Sequence, residues 1–195
     1  IAIIGAGMMG SALAFPAREN GHEVRLVGTH LDRDIINTCK SENKHPKFNR
    51  CFPDGVKYFQ IEDISSALEN ADLVICGVSS FGVDWFRDYV LPRIPDGTPI
   101  ISVTKGLQDT DDGRLLCYPD LWKEKLRELG KSNPFCAIGG PCTSYELVAH
   151  DQTEVAFCGD DIKTLAYLKA LMQTDYYHIS ITTDVTGIES AVALK

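Results

Sequence analysis

Ile1-Ala2-Ile3-Ile4-Gly5-Ala6-Gly7-Met8-Met9-Gly10 opens the chain and decides its fold. An apolar, β-branched run feeds into Gly-x-Gly-x-x-Gly, and Ser11-Ala12-Leu13-Ala14 continues as a helix. Each glycine in such a strand–turn–helix has a physical job. Gly5 permits the tight turn, Gly7 lets a pyrophosphate approach the backbone, and Gly10 lets the helix pack closely on the strand. Free N–H groups at the helix start, those of Met8 and Met9 among them, then face the phosphates at the positive end of the helix dipole. Glycine turns are common; the strand before this one and the helix after it are what point to a dinucleotide.

The remaining composition bounds the function. A chain of 195 residues, 44% apolar, supports one domain of ordinary size with the start of another. A net charge of −8 without a basic run argues against nucleic acid or an anionic membrane as partner. No stretch is long and apolar enough to span a membrane. Seven cysteines without a Cys-x-x-Cys suit a reducing cytoplasm and offer no metal framework.

Outward from the glycine turn, the pattern alternates strands and helices. Residues 8–20 read as the first helix, closed by Gly21, and 23–27 as strand two. Strand two ends in Gly28-Thr29-His30, without the carboxylate that usually binds the ribose 2′-hydroxyl of NAD. Thr29 and the nearby Arg33 are suited to a 2′-phosphate, which favours NADP. The plain alternative makes Asp32-Arg33 the polar first turn of a helix. Residues 34–42 read as helix, 43–55 as loop, 56–59 as a short strand and 63–70 as helix. Residues 73–76 form an apolar run expected of a strand buried on both faces. Residues 81–91 read as an amphipathic helix anchored in the core by Phe81, Trp85 and Phe86, in preference to an aromatic cofactor box.

Residues 99–103 read as the next buried strand. Thr104-Lys105-Gly106-Leu107 follows at its carboxyl end, the edge where such sheets bind ligands; an ordinary solvated loop lysine is the alternative. A helix is predicted over 112–130, with Leu115, Leu116, Leu121 and Trp122 among its apolar positions. Residues 135–138 form a strand running into Gly139-Gly140-Pro141-Cys142-Thr143-Ser144. Glu146 and His150 are spaced to pair. Strands at 153–157 and 176–181 around a helix at 162–172 extend the sheet at one edge. In the last stretch Thr186 and Glu189 fit a capping box, and Ile188, Ala191, Val192 and Lys195 share a helix face. Lys195 is open to two readings, a snorkelling surface lysine or a functional one. A chain that stops in mid-helix is expected to be a fragment, with 1–183 as the dinucleotide domain and 184–195 as the first helix of a missing helical substrate domain.

Taken together, Gly5-x-Gly7-x-x-Gly10, Thr104-Lys105-Gly106-Leu107, Gly140-Pro141 with Glu146, and Gly187-Ile188-Glu189 leading to Ala193-Leu194-Lys195 resemble the NAD(P)-dependent glycerol-3-phosphate dehydrogenases over nearly the whole chain. The resemblance implies that Lys195 is the acid–base residue and that Lys105 binds cofactor and substrate. It further places Val78, Ser79 and Ser144 at the cofactor, and Gly140 and Cys142 at the substrate. The chain departs from the family where Val78-Ser79-Ser80 replaces Val-Pro-Ser. It departs again where Cys142 replaces a hydroxyl or amide residue, a thiol being a poor donor, and where Ser144 stands at a position that is often Ala.

The resulting expectation is an α/β chain with a doubly wound, mostly parallel Rossmann-type sheet extended by edge strands. It would bind NAD(P) and no metal, and exchange hydride with dihydroxyacetone phosphate, a small phosphorylated substrate. It would act in the cytoplasm, with a homodimer left open. The alternatives are another dehydrogenase on this fold, of the ketopantoate reductase or sugar-nucleotide type, and a non-catalytic dinucleotide sensor.

Overall fold

A computed structural model of the chain describes residues 1–193. The first three strands, β1 (Ala2–Ile4), β2 (Arg25–Val27) and β3 (Lys57–Phe59), are joined by α1 (Met8–Ala12), α2 (Ala14–Glu19) and α3 (Arg33–Glu42). After α4 (Ile64–Leu68) come β4 (Val74–Cys76), the one-turn α5 (Val83–Trp85) and β5 (Ile100–Ser102). A hairpin of β6 (Leu107–Asp109) and β7 (Leu115–Cys117) leads into α6 (Tyr118–Glu128). The chain then runs through β8 (Phe135–Gly139), α7 (Ser144–Ala149), β9 (Thr153–Gly159), α8 (Ile162–Met172), β10 (Tyr177–Thr182) and α9 (Val185–Ala193).

Eight strands form one sheet in the order β10-β9-β8-β5-β4-β1-β2-β3. Every pairing in it is parallel except β8 with β9. Strand alternation sorts the apolar side chains onto two faces. Ile3, Ile75 and Ile101 enter one core with α1, α2, α7 and α8, while Ile4, Cys76 and Ile100 enter the other with α4 and α6. Both faces are covered, so the central strands read as unbroken apolar runs. The strand order reverses between β1 and β4, and a crevice opens there at the carboxyl edge.

Four sequence expectations are corrected by packing. The helix predicted over 112–130 begins only at Tyr118, because Gly113 takes φ +80° in the hairpin turn and Pro119 sits in the first helical turn, where it is tolerated. Leu115 and Leu116 are therefore strand residues on opposite faces of that hairpin. The helix expected over 8–20 is interrupted at Leu13, three residues before Pro16. His150, expected beside Glu146, ends α7 at φ 64° and places its Nε2 3.0 Å from Glu19 with its ring stacked on Tyr176. At α9 the cap is Asp184, whose Oδ1 accepts from the Gly187 N–H at 2.8 Å; Thr186 and Glu189 form no capping box.

All seven cysteines are free thiols, and burial pushes those of Cys76, Cys117, Cys136 and Cys158 up to about 12. Among the described residues no helix is long and apolar enough to cross a membrane, and no cluster of three or more His, Cys, Asp or Glu is placed to hold a metal ion.

Candidate functional site

Three glycine backbones set the floor of the crevice. Gly5 turns out of β1 at φ +107°, and a Cβ there would lie 2.8 Å from the Gly77 carbonyl carbon. A Cβ on Gly10 would lie 2.5 Å from the Gly5 carbonyl oxygen, and one on Gly77 2.8 Å from the Gly10 Cα. These three positions are glycine because backbone packs on backbone. Gly7 differs. It has φ −66° and ψ 171°, open to any residue, and a Cβ there would meet nothing nearer than 3.8 Å. Nothing inside the protein requires glycine at position 7. The backbone there stays open to a group approaching from outside.

Gly7 is the N-cap of α1, and no side chain caps that helix end. The first N–H groups of a helix lack intrahelical partners, so those of Met8 and Met9 are available to an anion. The loop is held from two sides, by Asp32 and by a histidine that the sequence did not single out. Asp32 Oδ2 accepts from the N–H of Ala6 at 3.2 Å, and from the N–H and hydroxyl of Thr29 at 2.9 and 2.8 Å. The buried His45 donates its Nε2–H to the Ala6 carbonyl at 3.1 Å while Nδ1 accepts from the Lys47 N–H at 3.1 Å. That arrangement requires a neutral ring, and burial holds the His45 pKa below the usual imidazole value.

The crevice has a volume of about 200 Å³ and is lined by Gly5, Gly7, Thr29, Val78, Ser79 and further residues of the β4 edge. Phe81 is 97% exposed there, not a core anchor, and Trp85 lines the same wall. The anchor of that segment is Phe86, packed on Trp122 at 5.5 Å. Trp85 stacks on Tyr89 and meets the His30 ring edge-on at 6.1 Å, so the wall is aromatic. Periodicity could not separate a core face from a crevice face here, because both are apolar. Arg33 lies outside this lining, with its guanidinium paired to Glu62.

Across the crevice, the second group of expected residues clusters at the ends of β5 and β8. Thr104 is buried and donates its hydroxyl to the Val78 carbonyl at 2.7 Å, tying the β4 and β5 turns together. Lys105 follows it, exposed, with Nζ 3.4 Å from the Gly140 carbonyl. Gly106 keeps the turn tight at φ +147°, against the Tyr118 ring. Thr143 and Glu146 form a capping box that starts α7 at Ser144, and α7 packs on α1. Ser144 is thereby carried toward α1, whereas Gly140 lies against β9 and lines a separate cleft with Val155, Ile188 and Val192. The Cys142 thiol is half-buried, which raises its pKa, and it donates to the Thr143 carbonyl at 3.5 Å. Lys195, expected as the acid–base residue, lies outside the described residues.

This geometry has relatives. The profile of a family described as "NAD-dependent glycerol-3-phosphate dehydrogenase N-terminus" matches residues 1–165. An "NADP(+)-dependent glycerol-3-phosphate dehydrogenase" of Archaeoglobus fulgidus is 35% identical over 197 aligned positions, covering 100% of this chain and 57% of that protein. A "glycerol-3-phosphate dehydrogenase [NAD(P)+]" of Enterococcus faecalis is 29% identical, covering 100% and 56%. The crystal structure of a glycerol-3-phosphate dehydrogenase from Coxiella burnetii superposes with a TM-score of 0.82 at 26% identity, over 98% of this chain and 56% of that one. The chain thus spans a little over half the length of the relatives it matches. The glycine loop at the β1–β4 switch point, the lysine turn after β5 and these matches together make the chain a member of the NAD-dependent glycerol-3-phosphate dehydrogenase N-terminal family.

Proposed function

We propose that the protein to which this chain belongs catalyses reversible hydride transfer between NAD(P)H and dihydroxyacetone phosphate, giving sn-glycerol 3-phosphate, with NADP favoured over NAD. The observation that carries the cofactor half is Gly7, a glycine with no internal reason to be one, at the mouth of a crevice on the switch point. The names of the relatives support the substrate half.

When bound, the cofactor supplies the hydride. This chain's residues do the rest. Gly7, Met8, Met9 and Gly10 hold the pyrophosphate, and Thr29, Val78 and Ser79 line the adenosine side. Phe81 and Trp85 give the site an aromatic wall. Lys105, with its charge beside the Gly140 carbonyl, stabilises negative charge developing on the substrate oxygen. Lys195 passes the proton to or from that oxygen. Gly140, Cys142 and Ser144 bound the substrate side, with Cys142 contributing shape more than hydrogen bonding. Helix α9 is read as the first helix of a helical substrate domain.

The NADP preference is supported by the Archaeoglobus relative's name and by the Gly28-Thr29-His30 turn directly after β2, which carries no acidic residue. Asp32 follows later, with its Oδ2 taken up by Ala6 and Thr29. Arg33 would turn from Glu62 to a 2′-phosphate.

The test is a substrate panel on the full-length protein, following NADPH and NADH oxidation with dihydroxyacetone phosphate, ketopantoate and a sugar-nucleotide aldehyde. Turnover with dihydroxyacetone phosphate is expected. Reduction of ketopantoate alone would overturn the substrate assignment, and cofactor binding without turnover of any panel member would mark a sensor.

A further inference from the structure

Glu189 is a buried ionisable group that the hydride-transfer reading leaves unused. It is 1% exposed, and among the described residues neither carboxylate oxygen has a hydrogen-bond partner. The helix start does not need it, since Asp184 caps α9. A buried carboxylate without a donor is disfavoured in its charged form, and burial pushes Glu189 up to about 7. A carboxyl group so placed either keeps its proton or takes a cation.

The groups around it narrow that choice. α9 packs on β7, β8 and β9. Cys117 at the end of β7, Asp120 on α6, Cys158 on β9 and Lys105 after β5 are the titratable groups whose fields couple to it. Cys117 donates to Asp120 at 3.2 Å, and Cys158 to the Ala137 carbonyl at 3.6 Å. Asp120 also has Lys123 at 3.7 Å. Lys105 is the cation in this set, and it stands on a long, exposed stem with a 3.4 Å contact to a neutral carbonyl.

We propose that Glu189 is a positioning residue for Lys105: its carboxylate draws the Lys105 ammonium inward from the Gly140 carbonyl and holds it charged over the reacting centre. This rests on the reading of Lys105 as the electrostatic group of the reaction. An opposite charge nearby favours the charged form of a carboxyl group, so Lys105 favours ionised Glu189. Asp120 works against the ionisation of Glu189 and Lys105 for it. The pair therefore forms as pH rises through neutrality, and substrate turnover rises with it.

The test uses the full-length protein with isotope-labelled lysines, the Lys105 signal being assigned by its loss in Lys105→Met. Glu189→Gln keeps the side-chain shape and removes the charge. It should shift the Lys105 NMR signal, and the rise of kcat/KM through neutral pH should vanish. Glu189→Asp should restore part of both. An unchanged Lys105 signal in folded Glu189→Gln overturns the proposal. Should that variant not fold, the Glu189 carboxyl is followed by NMR in the otherwise unaltered protein and in Lys105→Met. Its pKa should rise further when Lys105 is removed, and an unchanged value overturns the proposal equally. These titrations need no substrate. Failure to turn over dihydroxyacetone phosphate would strike the substrate assignment and leave the Glu189–Lys105 pair to be judged by NMR.

Discussion

Exchanging the roles of Gly7 and Gly10 by mutation separates binding from folding. At Gly7 the backbone conformation suits a β-branched residue, and a Cβ meets open space. Gly7→Val gives up the glycine N-cap of α1 and should therefore cost about 1 kcal/mol of stability or less. Its larger cost falls on the ligand. The side chain would occupy the volume through which a pyrophosphate reaches the Met8 and Met9 N–H groups. Hydrogen bonds to charged groups are worth about 1.5–3 kcal/mol each. Losing two removes about 3–6 kcal/mol, or roughly 10²–10⁴-fold in Kd at 1.4 kcal/mol per decade. Gly10→Ala is the mirror case. Its Cβ would sit 2.5 Å from the Gly5 carbonyl oxygen and 3.2 Å from the Gly77 Cα, both backbone atoms that cannot swing away. Overpacking of that kind costs about 1–3 kcal/mol, which in a domain of this size lowers Tm by roughly 2–12 °C. The assay pairs calorimetric titration of NADPH with thermal unfolding of the unliganded protein for both variants. If Gly7→Val binds NADPH with unchanged Kd, the cofactor does not lie on this loop and the reasoning from Gly7 fails.

Three further outcomes follow from the same geometry. Because Arg33 is held by Glu62 on the surface, Arg33→Ala should weaken NADPH and spare NADH, and Glu62→Gln, which frees the guanidinium, should tighten NADPH. Equal effects on both cofactors, measured by fluorescence titration, would remove Arg33 from the site. Lys195→Met in the full-length enzyme should lower kcat by about 10²–10⁴-fold with cofactor Kd nearly intact, whereas Lys105→Met should also raise KM; near-parent kcat in Lys195→Met would make it a structural helix residue. His45 is neutral in the fold with its pKa held below the unfolded value of about 6.5, so the unfolded chain binds more protons and stability is lost as pH falls below that value. Denaturant midpoints measured from neutral pH downward should fall, and His45→Phe should flatten that dependence; an identical slope would show that other groups set it.

Local chemistry written in consecutive residues was legible from the sequence alone. The turn of Gly5-x-Gly7-x-x-Gly10, the buried runs at β1, β4 and β5, and the lysine turn after β5 all depend on neighbours within one element. The doubly wound order follows from that alternation of strands and helices. Tertiary structure decided what depends on partners distant in sequence. Gly10 and Gly77 are far apart in the chain, yet each leaves room for the other. His45, in a loop without periodicity, reaches back to Ala6. Phe81 carries the same apolar signal as Phe86, but only the packing of Trp122 buries the second and leaves the first facing the crevice. Glu189 fits a capping box by spacing, and only the sheet beneath α9 shows it as a buried carboxylate instead. Spacing records which face of an element a residue occupies; what stands opposite that face is set when the elements pack.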